Sequence, residues 1–425
     1  MVNFSSILEY YSREDIQKAL LEISKNREVV GVYSNGSFDK RPNAIFYPDD
    51  IIQMVKKGVV SFHGSLEHWS NPMQLSTDLS LNEISKMRIG WDLIIDPDCP
   101  DFDFSKMTVK SILEALEDHD VRNYSIKFTG GKGFHIAIPF QSFPKTINSK
   151  PVESLYPDLP RAIIEYLKFY IFDDLKEKML ETGNLEEISK RVNKKVKDVV
   201  DENGLDPFKV VVIDSGLISS RHLFRLPYSL HEKNHLVSLP LEKSQLENFK
   251  REDASIEKVK TIKTKFLLGE ERRNEVAGLV IESLDMMQRR RIEKEQPVTE
   301  ERREKRVKYF DKSYFPPCIL KILEGNLSDG RKRSLFVLIT FLRNAGWTWE
   351  QIEKEIIEWN ERNLPPLRTN YVKAQLRWHK NQNRNILPPN CDSQNYYKDL
   401  GVYCGNEFHT NIKNPVNYLY KKRFK

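Results

Sequence analysis

Two aspartates separated by one residue follow an apolar stretch of this 425-residue sequence. Residues 91–95 precede Asp96, Pro97 and Asp98. Residues i and i+2 of a strand face the same side, so the two carboxylates are expected to point together. Adjacent carboxylates repel each other unless a cation lies between them, and oxygen ligands of this kind suit Mg²⁺ or Mn²⁺. Pro97 cannot donate to a sheet ladder, which places the pair at a strand end or edge.

A glycine-rich segment could hold the phosphates of a metal-bound nucleotide. It contains Thr129, Gly130 and Lys132 and ends at His135. Its glycines allow a tight turn, and a hydroxyl, an ammonium and backbone N–H groups can bind an anion there. The spacing differs from that of a Walker A loop. His135 alternates with apolar neighbours, so it is expected to return to the face of the carboxylates. The two stretches together predict metal-dependent phosphoryl or nucleotidyl transfer.

A third carboxylate and a basic segment occur much later in the chain. Residues 209–214 are predicted to form a buried strand that ends at Asp214. Two-metal chemistry commonly uses a third carboxylate, and Asp214 is the candidate. Residues 219–233 then concentrate basic side chains that could hold triphosphate or primer phosphates, namely Arg221, Arg225, His231 and Lys233.

Composition restricts the class of protein. The net charge of +6 permits a nucleic-acid partner without requiring one. Apolar residues make up 39% and charged residues 30%, which indicates a globular protein with a charged surface. No apolar run approaches the ~18 residues of a membrane helix, and the N-terminus lacks the pattern of a signal peptide. Four cysteines make a disulfide framework improbable. We therefore expect a cytoplasmic protein without a membrane partner.

The order of elements predicts an α/β fold. Helices alternate with strands as in a mixed sheet covered by helices, with a helical insert at about 159–203. We expect a catalytic domain over 1–287, a charged linker over 288–312 and a mainly α-helical domain over 313–425. Specific predictions include a hairpin at 29–47 and one or two helices at 251–287. The predicted helices of the last domain are 318–324, 331–345, 348–362 and 369–379.

The order of three motifs resembles the archaeo-eukaryotic primase superfamily. They are Asp96-x-Asp98, the segment Thr129–His135, and Asp214 ahead of the segment Arg225–His231. The likeness covers roughly residues 25–240 and is closest to the small catalytic subunit of archaeal primases. It implies a mixed-sheet primase-polymerase core.

The resemblance also implies a role for each residue. Asp96, Asp98 and Asp214 would ligate two metal ions. Thr129, Gly130, Lys132 and His135 would bind the phosphates of the incoming nucleotide. The pocket would be completed by Arg225, Ser229, His231 and Lys233.

Residues 313–425 resemble the C-terminal domain of the primase large subunit, in which four cysteines hold a [4Fe–4S] cluster. Here Cys318, Cys391 and Cys404 are in register, and His409 aligns with the fourth ligand. These residues could hold a cluster, hold Zn²⁺ as Cys₃His, or bind no metal. Basic residues in the first turn of a helix oppose its dipole, which favours anion binding by Arg331, Lys332 and Arg333. Trp347 and Arg377 could follow a template strand by stacking and charge.

The sequence predicts a single-chain DNA primase, an enzyme that makes short primers de novo by nucleotidyl transfer. Its partners would be a single-stranded DNA template, NTPs or dNTPs, an RNA or DNA primer, and other replication proteins. Three alternatives stay open. One is a repair or gap-filling polymerase that mainly extends primers, one is a non-catalytic nucleic-acid-binding subunit, and one is a metal-dependent nuclease.

Overall fold

The computed structural model describes residues 3–76, 78–267, 273–295, 308–327, 329–382, 386–404 and 412–421. The chain divides into two compact units, Met1–Glu293 and Lys294–Lys425. The first unit combines helices with small antiparallel sheets, and the second unit is helical. The predicted α/β class, followed by a helical C-terminal part, is therefore confirmed.

The first unit contains the elements that carry the predicted site residues. Its helices are α1 (Phe4–Ser12), α2 (Glu14–Ser24), α3 (Pro48–Lys56), α4 (Leu81–Met87), α5 (Phe102–Asp118), α6 (Asp158–Glu181), α7 (Leu185–Arg191), α8 (Pro207–Val210) and α9 (Ala277–Glu295). Its strands are β1 (Val29–Tyr33), β2 (Val59–Ser65), β3 (Glu67–Trp69), β4 (Arg88–Trp91), β5 (Leu93–Ile95), β6 (Pro97–Asp98), β7 (Ser125–Phe128), β8 (Phe134–Ile138), β9 (Thr146–Ile147), β10 (Lys150–Pro151), β11 (Val200–Asp201), β12 (Gly204–Leu205), β13 (Val212–Ile213), β14 (Leu223–Arg225) and β15 (Pro240–Leu241).

A four-stranded antiparallel sheet positions the first two motifs. Its order is β15-β7-β8-β5. The pairing of Ile95 with Ile136 aligns the end of β5 with β8, so Asp96 follows β5 beside His135. The hairpin of β7 and β8 carries the glycine turn at its end. A second sheet, of order β1-β2-β14, contributes Phe62 and Phe224 to a buried apolar cluster.

Three predictions about elements were wrong in part. The chain turns back within 29–47 as predicted, with an antiparallel bridge between Val32 and Phe38 and a bond from the Asp39 N–H to the Gly31 carbonyl at 2.8 Å. The full ladder of β1, however, is with the buried strand β2. Residues 209–214 form only the short β13, since Pro207 starts helix α8, which Asp206 caps. Residues 251–267 contain a 3₁₀ turn at Arg251–Ala254 and otherwise irregular backbone. Helix α9 begins only at residue 277 and reaches 295, inside the range predicted as a linker.

The second unit is a small helical assembly. Its helices are α10 (Pro317–Glu324), α11 (Arg331–Asn344), α12 (Trp349–Glu361), α13 (Thr369–Lys380) and α14 (Pro415–Lys421). The first four match the predicted ranges to within about a residue. The Thr348 side chain caps α12, and Trp359 is buried with Phe341 in the core of the unit. Within the described residues of the whole chain, no helix has the length and apolarity needed to cross a membrane.

A buried ion cluster holds the start of strand β5. The carboxylate of Asp92 accepts hydrogen bonds from Arg27, from His68 Nε2 at 2.8 Å and from the Phe140 N–H at 2.8 Å. Arg27 also donates to the Ser65 carbonyl at 2.6 Å. Burial alone would raise the pKa of Asp92, but His68 and Arg27 hold that pKa well below its ordinary value. The cluster thus fixes the chain at Asp92, four residues before Asp96.

Asp92→Asn is expected to lower the free energy of unfolding by about 3–5 kcal/mol at pH 7, because Arg27 is left buried without its counter-charge. A carboxylate with a lowered folded-state pKa contributes stability that is lost as the pH falls below about 4. The stability curves of wild type and variant should therefore converge in acid. Urea unfolding from pH 7 to pH 3 measures this. Asp285→Asn, on the exposed face of α9, is the control. A constant difference at every pH would contradict the prediction.

Candidate active site

A two-residue antiparallel bridge brings the third aspartate to the first two. Strand β6 pairs with β13, with Val212 opposite Asp98 and Ile213 opposite Pro97. The next position of such a ladder sets Asp214 across from Asp96. All three aspartates line one cavity of about 280 Å³. The structure thus brings together the three carboxylates that the sequence singled out, across more than a hundred residues of chain.

The wall of the cavity comes from several elements. Three histidines and Arg225 lie beside the aspartates, and Ile164 of α6 closes one side. Helix α6 also holds the loop after Asp214, because Glu165 accepts the Ser215 hydroxyl at 2.8 Å. The remaining lining residues are His63, His135, His222, Leu66, Ile94, Val212, Ile213, Ile218, Leu223 and Phe224.

The carboxylates differ in their electrostatics. His135 Nε2 lies 3.3 Å from Asp96 Oδ2. The Asp96 side chain is 51% exposed. Desolvation by the surrounding protein raises the pKa of Asp96, but His135 and Lys127 outweigh it and bring that pKa below its ordinary value. Burial and the nearby charge of Asp96 raise the pKa of Asp98 to about 6. Asp214 accepts the N–H of Gly216 at 2.8 Å and caps a 3₁₀ turn.

The donor set fits a divalent cation in part. Asp96 and Asp98 offer hard oxygen ligands. Burial and the charge of Asp96 raise the pKa of Asp98, and a cation would relieve the repulsion between the two carboxylates. Within the residues that the structure describes, no three His, Cys, Asp or Glu side chains converge closely enough to hold a metal ion. Mg²⁺ is usually held by one or two carboxylates together with water and substrate phosphates. Asp96 and Asp98 match that pattern, and Asp214 lines the same cavity.

The glycine turn is shaped by its own hydrogen bonds. Thr129 Oγ1 donates to the Gly133 carbonyl at 3.1 Å and accepts the Gly131 N–H at 3.2 Å. Gly130 has a φ of +82°, and a Cβ there would lie 2.8 Å from the Leu236 carbonyl oxygen. The turn therefore packs directly on the later segment. Lys132, at its tip, is exposed.

Arg225 connects the cavity to the glycine turn. Its guanidinium donates to Ser61 Oγ at 3.1 Å, to the Thr129 carbonyl at 2.8 Å and to Glu232 Oε2 at 2.5 Å. His231 Nδ1 accepts the Lys233 N–H at 3.2 Å. Burial and Arg225 lower the pKa of His231 to about 4. His231 is thus neutral at pH 7, with Nε2–H left as a donor.

The predicted phosphate ligands differ in their surroundings. Lys233 is exposed, like Lys132. Ser229 is fully buried, and its hydroxyl accepts the Phe62 N–H at 2.7 Å. It lies in the interior and holds strand β2. The phosphate-binding roles of these residues stay predictions.

Sequence reasoning missed several residues of the site. Burial lowers the pKa of His63 and of His222, so these two of the three cavity histidines are neutral at pH 7. Lys127 is fully buried, opposite His135 across the sheet, and donates to Ser238 Oγ at 2.8 Å. A lysine inside the apolar strand Ser125–Phe128 was a readable signal. Nothing in the sequence indicated that Glu232 would pair with Arg225.

In the second unit, the residues predicted to bind an anion or a template strand make contacts within the protein. Arg331 donates to the Pro365 carbonyl at 2.8 Å, and Arg333 donates to the Asn395 carbonyl. The Lys332 ammonium lies 4.8 Å from the centre of the Tyr371 ring. Trp347 is buried and donates to the Phe310 carbonyl at 2.9 Å. Arg377 is half-buried on α13.

Two cysteines of the second unit are in contact, and a third lies near them without completing a metal site among the described residues. The Cys318 thiol is hydrogen-bonded to Cys404, and this bond together with burial raises the pKa of Cys318. Burial and the nearby Cys404 raise the pKa of Cys391 to about 11. His409, the predicted fourth ligand, lies outside the described residues. Metal binding by this set stays a prediction.

Comparisons with known proteins give limited similarities. No protein-family model matches the chain. A 61-residue segment is 41% identical to the uncharacterized protein MJECS07 of Methanocaldococcus jannaschii, and it covers 14% of this chain and 14% of that protein. Among solved structures, the polymerase domain of Mycobacterium tuberculosis ligase D in complex with DNA is similar at 14% identity and a TM-score of 0.39. That similarity covers 60% of this chain and 88% of that domain.

Asp98→Asn is expected to raise the melting temperature of the metal-free protein at pH 7, because the amide removes both the cost of desolvating a carboxylate and the repulsion from Asp96. A carboxyl whose folded-state pKa is raised to about 6 costs stability as the pH rises towards that value, so the gain should vanish near pH 4. Mn²⁺ should stabilise the wild type more than the variant. Thermal melts in EDTA and in Mn²⁺ test both points, and a variant that melts lower in EDTA would refute the first.

Proposed function

We propose that the chain is a primase-polymerase type nucleotidyltransferase that synthesises primers de novo on single-stranded DNA. The observation that carries this proposal is the bridge between β6 and β13, which gathers Asp96, Asp98 and Asp214 in one cavity with Arg225. Carboxylates and a guanidinium in the same cavity suit a substrate that combines a divalent cation with phosphates.

Each residue has a proposed task. Asp96 and Asp98, with Asp214, hold Mg²⁺ or Mn²⁺, which when bound lowers the pKa of a primer 3′-hydroxyl and neutralises charge on the triphosphate. His135 donates through Nε2 and orients Asp96. Arg225, Lys132, His231 and Lys233 bind the phosphates of the incoming nucleotide. Thr129 and Gly130 set the shape of the turn that presents them.

The second unit has a proposed role in initiation. Three basic residues in the first turn of α11, Arg331, Lys332 and Arg333, would bind the phosphates of the initiating nucleotide. Cys318, Cys391 and Cys404, with His409, would hold a [4Fe–4S] cluster or Zn²⁺ that stabilises the unit. Covalent linkage of the two units would raise the effective concentration of the initiating nucleotide at the catalytic cavity.

The double variant Asp96→Ala, Asp98→Ala tests nucleotidyl transfer. It should abolish product formation on single-stranded DNA with or without a primer, because the cation loses both ligands. The measurement is incorporation of labelled NTPs or dNTPs with release of pyrophosphate in Mg²⁺ or Mn²⁺. Asp285→Asn is the control. A wild type that releases mononucleotides from DNA is a nuclease, and one that binds DNA without incorporation is a non-catalytic subunit. Either result contradicts the proposal.

Removal of residues 313–425 tests initiation separately from extension. The shortened protein should extend an annealed primer at close to the wild-type rate, since the carboxylates and Arg225 lie in the first unit. Its unprimed synthesis should fall by at least tenfold, on the order of the effective-concentration loss expected for an unlinked module. Product gels with primed and unprimed templates measure the two rates. Equal loss of both rates, or of neither, would contradict the initiation role.

A further inference from the structure

One acidic side chain lies among the basic groups proposed to bind phosphates. Residues 230–237, here the 230–237 loop, close on themselves through hydrogen bonds from the His231 N–H to the Leu236 carbonyl at 2.8 Å and from the His235 N–H to the His231 carbonyl at 2.9 Å. The loop carries His231, Glu232 and Lys233. Glu232 is enclosed, with only 14% of its side chain exposed.

Glu232 is bonded to Arg225, the arginine that faces the cavity. Its Oε2 accepts from Arg225 Nη2 at 2.5 Å, and its Oε1 lies 3.9 Å from His231 Nε2. The carboxylate thus occupies Nη2 of the Arg225 guanidinium and lies near a second nitrogen donor, His231 Nε2. Burial raises the pKa of Glu232, but Arg225 and His231 bring it below its ordinary value, so the group is ionised at pH 7.

The other bonds of Arg225 explain why Glu232 is not needed to hold it. Arg225 belongs to β14, whose pairing with His63 of β2 fixes its backbone. Its Nε and Nη1 are bonded to Ser61 Oγ and to the Thr129 carbonyl. Two groups therefore fix the guanidinium plane while Nη2 points to Glu232. A carboxylate in that position has the charge and the acceptor geometry of a phosphate oxygen.

We propose that Glu232 is an internal competitor that occupies a phosphate position of the nucleotide and thereby sets the affinity of the site for triphosphate and pyrophosphate. This inference rests on the proposed function. An incoming phosphate must displace Glu232 from Arg225 or bind beside its charge, and both weaken binding. The same competition favours release of the pyrophosphate product.

The variant Glu232→Gln distinguishes two roles for Glu232. Either its carboxylate competes with phosphate for Arg225, or it only supports Arg225 by holding the guanidinium in place. Glutamine keeps the shape and an amide oxygen that can accept from Arg225 Nη2, but it removes the negative charge. If Glu232 competes, the variant binds inorganic tripolyphosphate more tightly, on the order of tenfold for one unit charge near a partly buried site. If Glu232 instead supports Arg225, the variant binds more weakly. Glu232→Ala, which also removes the acceptor, should bind at least as tightly as wild type under competition and less tightly under support.

The measurement is calorimetric titration of the full-length protein with inorganic tripolyphosphate in excess Mg²⁺, alongside the KM for nucleotide in primer extension and inhibition by pyrophosphate. Glu257→Gln, an exposed glutamate of the first unit, changes the net charge by the same amount and is the matched control. The inference predicts tighter tripolyphosphate binding, a lower KM and stronger pyrophosphate inhibition for Glu232→Gln alone. Thermal melts verify that each variant is folded.

The outcomes distinguish the inference from the function on which it rests. A wild type that incorporates nucleotides, with a Glu232→Gln variant whose affinities are unchanged, weaker or matched by Glu257→Gln, overturns the inference alone. If neither the wild type nor the variant binds tripolyphosphate, and neither incorporates nucleotides, the inference and the proposed function are overturned together. Tight binding by Glu232→Gln where the wild type binds weakly supports the competition.

Discussion

The candidate active site depends on the short antiparallel bridge between residues 97–98 and 212–213. Each strand contributes two residues, so the bridge itself supplies little free energy. It persists because Pro97 and Ile213 are buried, and because α6 holds the loop after Asp214 through Glu165. The like-charged carboxylates are therefore held near each other by contacts of neighbouring residues, not by interactions of the carboxylates themselves. Binding sites commonly hold groups that repel each other in the absence of the ligand, which lowers the stability of the protein around the site.

Local sequence patterns predicted the parts of the site that lie within single elements. The alternation around Asp96 and Asp98, the glycines after Phe128 and the helical periodicity of the second unit each depend on neighbours within a few residues. Pairing between distant segments is not encoded in that way. Strand β1 makes the expected turn within 29–47, but most of its ladder is with β2, a pairing that no local pattern indicates. Residues 209–214 have a strand-like composition, yet Pro207 and the Asp206 cap convert their first part into a helix.

Side-chain pairing was also hidden from the sequence. Glu232 reads as one more polar residue of a loop, and only the structure brings it to Arg225. Lys127 is conspicuous in an apolar strand, but its neighbours Phe224, Phe266 and Ser238 come from later segments. For Ser229, the sequence suggested a role different from the contact that the structure shows. Its place in the motif suggested a ligand contact, and the fold uses its hydroxyl to bind the backbone of β2.

Helix α6 has a consequence for how the protein can be divided. It belongs to the segment that looked like an insertion between motifs, yet Ile164 forms part of the cavity wall and Arg161 bonds the Ile218 carbonyl at 2.9 Å. Trimming this segment to obtain a minimal fragment would remove a lining side chain of the candidate cavity and admit bulk water. The helix is therefore a component of the candidate site, and shortened versions of the chain need to retain it.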